Sequence, residues 1–309
     1  MGRHWQYSGG EMAEITRRRC GELLKKLFEI LIATPDGLQA RAALEKLASS
    51  VTLTDYESGV YESTGTRRFE KIVRFATVDC VKAGWFLKIK GTWLVTDAGR
   101  AAYTKYPDPE AFYREAVRLY RAWRTGRGEK SSPVSDPVES ENIEESVSVT
   151  FEQAEEQAWT QIEHHLRNMN PFEFQELVAE LLRAMSYHVS WISPPGKDGG
   201  VDIIAHSDPL GTKPPRIKIQ VKRVADKISS DGLKSFIAII NEGDVGLYIS
   251  TGGFTRDAED FARNQERRKI TLINLPRLVD LWKEYYAKLE DTARQRLPLT
   301  PIYFLTPKD

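Results

Sequence analysis

The chain has 309 residues, of which 41% are hydrophobic and 28% charged, and its formal net charge is zero. This is the composition of a folded protein of about two domains, and it excludes wholesale disorder. No apolar run reaches the ~18–20 residues of a membrane span. The opening MGRHWQYSGG lacks the apolar stretch of a secretory signal, and Cys20 and Cys80 supply no framework for zinc or disulfides, so a cytoplasmic protein without a membrane partner is expected.

Along the first 130 residues the pattern is helical and then briefly extended. Cys20, Leu23, Leu24, Leu27, Ile30 and Leu31 recur at helical spacing, and Pro35-Asp36-Gly37 stops the run. A second helix is expected over Gln39–Leu47. A third, Arg67–Ala83, collects Phe69, Ile72, Val73, Ala76 and Cys80 on one face, with Arg67, Arg68, Lys71 and Arg74 mostly on the other. Two β-rich runs flank Lys90-Gly91, a hairpin signal, and Thr96 or Asp97 can cap a short helix over Ala98–Tyr103. Three helices followed by a small hairpin is the order of a winged helix-turn-helix. In that arrangement Arg67, Arg68, Lys71 and Arg74 reach DNA phosphates from the recognition helix, and Lys88 and Lys90 from the wing. The same charges also suit a merely solvated helix face.

Charge then changes abruptly. Residues 1–130 carry 23 Lys and Arg against 16 Asp and Glu, whereas residues 131–165 carry nine acidic residues and no Lys or Arg. The segment from Thr125 to Thr150 contains Pro133, Pro137, several serines and no aromatic residue, so it offers little apolar surface to offset ordering. It reads as a solvated acidic tether. The expected organisation is therefore a winged-helix domain over 1–128, a flexible linker over 129–150 and a second domain over 151–309.

The second domain carries the chemistry. Phe174, Leu177, Val178, Leu181, Leu182 and Met185 form one helical stripe; HVSWIS is strand-like; Pro194–Gly200 is turn-rich; and Val201–Ala205 is a strand holding the carboxylate of Asp202. A Pro- and Gly-containing loop leads to RIKIQVKR, which alternates strictly: Ile217, Ile219 and Val221 one way, Lys218, Gln220 and Lys222 the other. If the two strands pair, Asp202, Gln220 and Lys222 meet. A carboxylate and an amide oxygen suit a hard divalent cation, and an ammonium can act on an attacking water or a charged phosphate, a set fitted to phosphodiester hydrolysis. A wet strand face is the plainer alternative for Gln220 and Lys222. Among the other residues, the histidines His164, His165, His188 and His206 read as structural or solvent-facing. Ser250-Thr251-Gly252-Gly253 resembles a phosphate-cradling loop in composition only, and Trp159, Trp191 and Trp282 read as core.

The helix FEFQELVAELLRAMSYHV, the segment PPGKDGGVDIIAHSDPLG and the strand PRIKIQVKR together resemble the catalytic domain of Mrr-type restriction endonucleases. These are PD-(D/E)xK nucleases, in a branch where Gln replaces the acidic residue of the last pair. The similarity continues through GLYISTGGFTRDAEDFARNQERRKITLINLPRLVDLW, and the first domain resembles the accessory DNA-binding domain of Mrr-like proteins. The resemblance implies an α/β, mixed-sheet restriction-endonuclease-like core behind the winged helix-turn-helix. It assigns metal binding to Asp202 and Gln220 and catalysis to Asp202, Gln220 and Lys222, with Mg²⁺ as cofactor and Mn²⁺ as an alternative. It implies cleavage of double-stranded, methylated DNA by a type IV restriction enzyme. One catalytic site per chain would need two subunits, or two successive events, to cut both strands, so a homodimer or larger homo-oligomer is expected. A junction-resolvase-like nuclease and a non-cleaving DNA-binding regulator are the competing readings. The sequence departs from the family where a Phe-Glu pair is usual and Phe174-Gln175 stands, so supporting roles are open to Gln175 or Glu176. Asp198 could contact metal or phosphate, or simply cap its loop.

Overall fold

A computed structural model describes residues 16–60, 67–126, 143–194 and 199–303, which fall into two units, one ending at Ala158 and one spanning Trp159–Tyr303. The first begins with α1 (Arg17–Ile32), β1 (Leu38–Gln39), α2 (Ala40–Ser50), the single turn α3 (Asp55–Ser58) and α4 (Arg68–Lys82). Then come β2 (Phe86–Ile89), β3 (Thr92–Val95), α5 (Asp97–Lys105) and α6 (Pro109–Gly126). The expected Thr96 cap forms, its hydroxyl accepting from Gly99 N–H at 3.0 Å, and the Thr16 hydroxyl caps α1 by accepting from Arg19 N–H at 3.2 Å. The helical stripe of α1 is buried, with Leu24, Leu27 and Phe28 at 0% exposure in one core with Val73, Phe86, Trp93 and Phe112.

The hairpin forms where the sequence placed it. Lys90 (φ 49°) and Gly91 (φ 74°) are both left-handed, as a two-residue turn between right-twisted strands requires. Strand β3 pairs antiparallel with β2 and with β1, in the order β1-β3-β2. From α1 to β3 the described elements thus run helix, strand, helix, helix, helix, strand, strand: the three helices and hairpin expected above, with the short β1 and the extra turn α3 inserted.

One expectation is corrected. Residues 127–142, which hold most of the proposed linker, lie outside the described residues, but the span assigned to it ends inside a 26-residue helix, α7 (Ile143–Asn168). The helix as far as Ala158 belongs to the first unit, so the boundary falls after Ala158 and not after Thr150. The acid-rich run continues past the proposed linker, and two of its carboxylates there, Glu152 and Glu156, are interior groups with side chains 12% and 11% exposed.

In the second unit, α8 (Pro171–Ala184) leads to β4 (His188–Ile192), β5 (Ile203–His206) and β6 (Arg216–Lys222). These are followed by α9 (Ser230–Ala238), β7 (Val245–Ser250), α10 (Arg256–Arg263), β8 (Lys269–Asn274), α11 (Leu275–Tyr285), a 3₁₀ turn over Tyr286–Lys288 and α12 (Asp291–Arg294). The sheet order is β4-β5-β6-β7-β8; the first three strands are antiparallel and the last three parallel, giving a mixed sheet. One face packs on α8 and α11 through Phe174, Leu177, Ile203, Ile219, Ile249 and Trp282. The other packs Tyr248 against Leu233, Phe236 and Phe254. With both faces covered, the alternation of β6 sorts its aliphatic side chains to one layer and Lys218, Gln220 and Lys222 to the other.

Candidate active site

Strand β5 starts one residue after Asp202, whose backbone nevertheless continues the sheet. Its N–H donates to Ile219 O at 2.8 Å, and its carbonyl accepts from Ser193 N–H at 2.8 Å. The β5–β6 register ends at Ile203 opposite Ile219, and the bond from Asp202 N–H to that same Ile219 carbonyl holds Asp202 at the strand end that carries Gln220. Both are buried, at 6% and 8% exposure, which is unusual for polar side chains and demands partners. One carboxylate oxygen of Asp202 accepts from Val221 N–H at 2.6 Å, which fixes the side chain against the end of β6. Lys222 lies one pleat beyond Gln220 and is half-buried. The strands therefore bring Asp202, Gln220 and Lys222 to one end of the sheet.

Gln175 supports this arrangement in a way the sequence did not disclose. It is 7% exposed, and its amide donates to Ser193 O at 3.0 Å and to Asp202 O at 3.2 Å. A carboxylate there would face two carbonyl oxygens, whereas the amide N–H groups tie the end of β4 to the Asp202 backbone. Glu176, the alternative, is half-buried on α8. Asp198 lies outside the described residues.

Two further residues share the Gln220 face. Tyr248 is the register partner of Gln220, and its hydroxyl is pushed up to about 12, first by burial and then by the negative charge of Asp202. Ser250 pairs with Lys222, is fully buried, and its hydroxyl has no hydrogen-bond partner among the described residues. The loop after it, noted for its composition, is a brace. Thr251 N–H donates to Lys222 O at 3.0 Å, and the Thr251 hydroxyl accepts from Val224 N–H at 2.9 Å and donates to Val224 O at 2.7 Å.

The donors fit a lightly held hard cation. No group of three His, Cys, Asp or Glu side chains able to hold a metal occurs among the described residues. Asp202 instead offers one carboxylate, held at Val221 N–H between Gln220 and Lys222 in the chain, and its charge is felt at Tyr248. Such a low-charge oxygen set suits Mg²⁺, which keeps most of its own waters. The remaining candidates resolve simply: His188 and His206 face each other across β4 and β5, the His165 ring lies 2.7 Å from Arg296 O, and Trp159 and Trp282 are core. Trp191 differs from its expected core position, being 39% exposed on edge strand β4.

In the first unit the basic residues divide. Arg67 has an exposed side chain, Arg68 lies 4.7 Å over the Tyr56 ring, and Lys71 lies 5.7 Å over the Phe75 ring. Lys90 sits in the hairpin turn. Arg74 and Lys88 are corrected as surface phosphate contacts, because their side chains are only 6% and 13% exposed. Glu152 and Glu156 of α7 enclose them, which sequence spacing could not show with Glu152 lying 78 and 64 residues from the two cations.

Set beside known proteins, the second unit is a restriction-endonuclease domain: the family model of that description, for the Mrr catalytic domain, matches residues 166–282. The Mrr N-terminal domain matches residues 21–105. The chain thus carries the two domains of Mrr-type restriction endonucleases in the same order, and it is a DNA endonuclease. It is similar to the type IV methyl-directed restriction enzyme EcoKMrr of Escherichia coli (strain K12), with 23% identity over 280 residues, 85% of this chain and 91% of that enzyme. Among solved structures it is similar to the MspJI restriction endonuclease in complex with a 27-mer oligonucleotide, at 18% identity and a TM-score of 0.31, covering 66% of this chain and 47% of that one. It is also similar to the DNA modification-dependent restriction endonuclease AspBHI, at 16% identity and a TM-score of 0.35, covering 68% and 57%. The chain thus spans about half the length of each of these two structures.

Proposed function

We propose that this DNA endonuclease is Mg²⁺-dependent and cleaves both strands of methylated duplex DNA, restricting foreign DNA in the cytoplasm. The observation that carries the reading is the Asp202 carboxylate held by Val221 N–H, on the strand end that also carries Gln220 and Lys222. Asp202 and Gln220 would hold the ion, which supplies charge and an activated water when bound. Lys222 orients the attacking water or offsets the charge that builds on the scissile phosphate. Gln175 holds the Asp202 backbone in register, so the carboxylate keeps its place without a second acid. The first unit, read as a winged helix, holds duplex DNA through Arg67, Arg68, Lys71 and Lys90. A single centre per chain makes cutting of both strands the work of a homodimer or larger assembly.

Matched supercoiled plasmids, prepared with and without adenine or cytosine methylation, test this reading. Linear product from a methylated plasmid with Mg²⁺ and none with EDTA is expected. Equal cutting of unmethylated plasmid would contradict the modification dependence, and cutting in EDTA would contradict the metal.

A further inference from the structure

We infer that the cleft between α4 and the β2–β3 hairpin is a phosphate-binding surface for duplex DNA, and that α7 is its built-in competitor, with Glu152 and Glu156 standing where phosphates would bind. This rests on the reading of the first unit as a DNA-binding domain. The contacts are dense and charged. Arg74 donates to Glu152 at 2.9 Å and to Glu156 at 2.7 Å; Lys88 donates to Glu152 at 2.5 Å; and Trp93 Nε1 donates to Glu152 at 3.2 Å. Glu156 also accepts from Arg41 N–H at 3.1 Å, at the start of α2. At the hairpin turn, a Cβ on Gly91 would lie 3.4 Å from Glu156 Cα, so α7 lies directly against the wing.

Helix geometry makes this an ionic plug. Val149, Glu152 and Glu156 recur at three- and four-residue spacing on one stripe of α7, and all three have little exposure. Two carboxylates four residues apart repel each other on an isolated helix, so the pair is favourable only against cations. A permanent dock would be better built from apolar side chains, since desolvating ion pairs costs much of what their attraction returns. Charged contacts are instead the kind that a polyanion displaces. The groups they cover, two cations, an indole N–H and a helix N-terminal N–H, are those that bind phosphate oxygens. The described part of the acidic stretch thereby cancels cations on the α4 face, where residues 1–130 carry a basic surplus.

The test uses the full chain in EDTA, with a duplex read by fluorescence anisotropy at about 50 mM salt. E152Q/E156Q keeps the size of both side chains and one acceptor oxygen on each, replaces the other acceptor by an N–H donor that faces the cations, and removes both charges, so it should bind at least about tenfold more tightly. E155Q, on the exposed side of the same helix, should change affinity by no more than about twofold, which separates a local plug from a general charge effect. Adding R74Q to the double variant should remove the gain. Hydrogen exchange on the unaltered protein gives a readout independent of substitution: amides of residues 149–158 should exchange faster when DNA is added. Affinity within about twofold of the unaltered protein, or unchanged exchange in α7, would overturn the plug. If R67A/R68A/K71A weakens binding in that case, the DNA-binding reading survives alone. If no form of the chain binds duplex at low salt, both are overturned.

Discussion

Asp202→Asn and Lys222→Ala should each lower cleavage of supercoiled DNA by roughly 10³-fold or more, with DNA binding and thermal stability close to those of the unaltered protein. The choice of asparagine matters. Asp202 accepts from Val221 N–H at 2.6 Å, and alanine would leave that donor unpaired at a cost of about 1–3 kcal/mol. Asparagine keeps an acceptor oxygen and removes the charge, so the loss falls on metal and chemistry. Lys222 holds the neighbouring strand end through its backbone carbonyl, which accepts from Thr251 N–H, so its half-buried side chain can be truncated without unpicking the sheet. Gel-shift affinity falling in step with cleavage would make either residue a binding or folding group.

Gly252→Ala should also lower cleavage, by about 10²-fold, although it touches no reacting group. A Cβ at Gly252 would lie 2.1 Å from Asp226 O and 2.9 Å from Ala225 O, both backbone atoms that cannot turn aside. The brace that Thr251 forms with Lys222 and Val224 must then shift, along with the Gly253–Ile228 contact of 3.0 Å. Overpacking of this kind costs about 1–3 kcal/mol or more. A displacement of about 1 Å at Lys222 would lower cleavage by about 10²-fold. Gly253, with φ +77° and open space around a Cβ, is the control: alanine there is strained by the backbone alone, at about 1 kcal/mol. Equal melting temperatures and equal cleavage for Gly252→Ala and the unaltered protein would show that the loop does not position Lys222.

The parts legible in the sequence were those whose pattern is local. Strict alternation over Arg216–Lys222 placed Gln220 and Lys222 on one face, and the stripe of α8 placed Phe174 and Leu177 in the core. The Lys90-Gly91 turn marked the hairpin because its glycine accepts a left-handed backbone between two β-rich runs. What escaped notice depends on contacts between distant segments. Gln175 reads as a missing acid until its amide is seen between two carbonyls from residues 18 and 27 positions away. Arg74 reads as a surface cation because it belongs to a basic helix face, yet its burial is set by a helix 78 residues later. Glu152 and Glu156 were hidden for the converse reason: composition treats a run of acids without cations as solvated, although the cations they meet lie in another part of the chain. The apolar stripe of α7 is interrupted by those same carboxylates, so periodicity gave no warning of a buried face.

The most direct test of the Asp202 centre is divalent-ion binding. Mn²⁺ is titrated calorimetrically into the unaltered protein, Lys222→Ala and Asp202→Asn, each with a phosphorothioate duplex that resists cleavage. In the proposed centre Asp202 would supply the charge at the ion and Lys222 would not, so Lys222→Ala should bind Mn²⁺ as the unaltered protein does, and Asp202→Asn should lose that binding. Unchanged Mn²⁺ binding by Asp202→Asn would contradict the assignment and move the metal centre elsewhere in the chain.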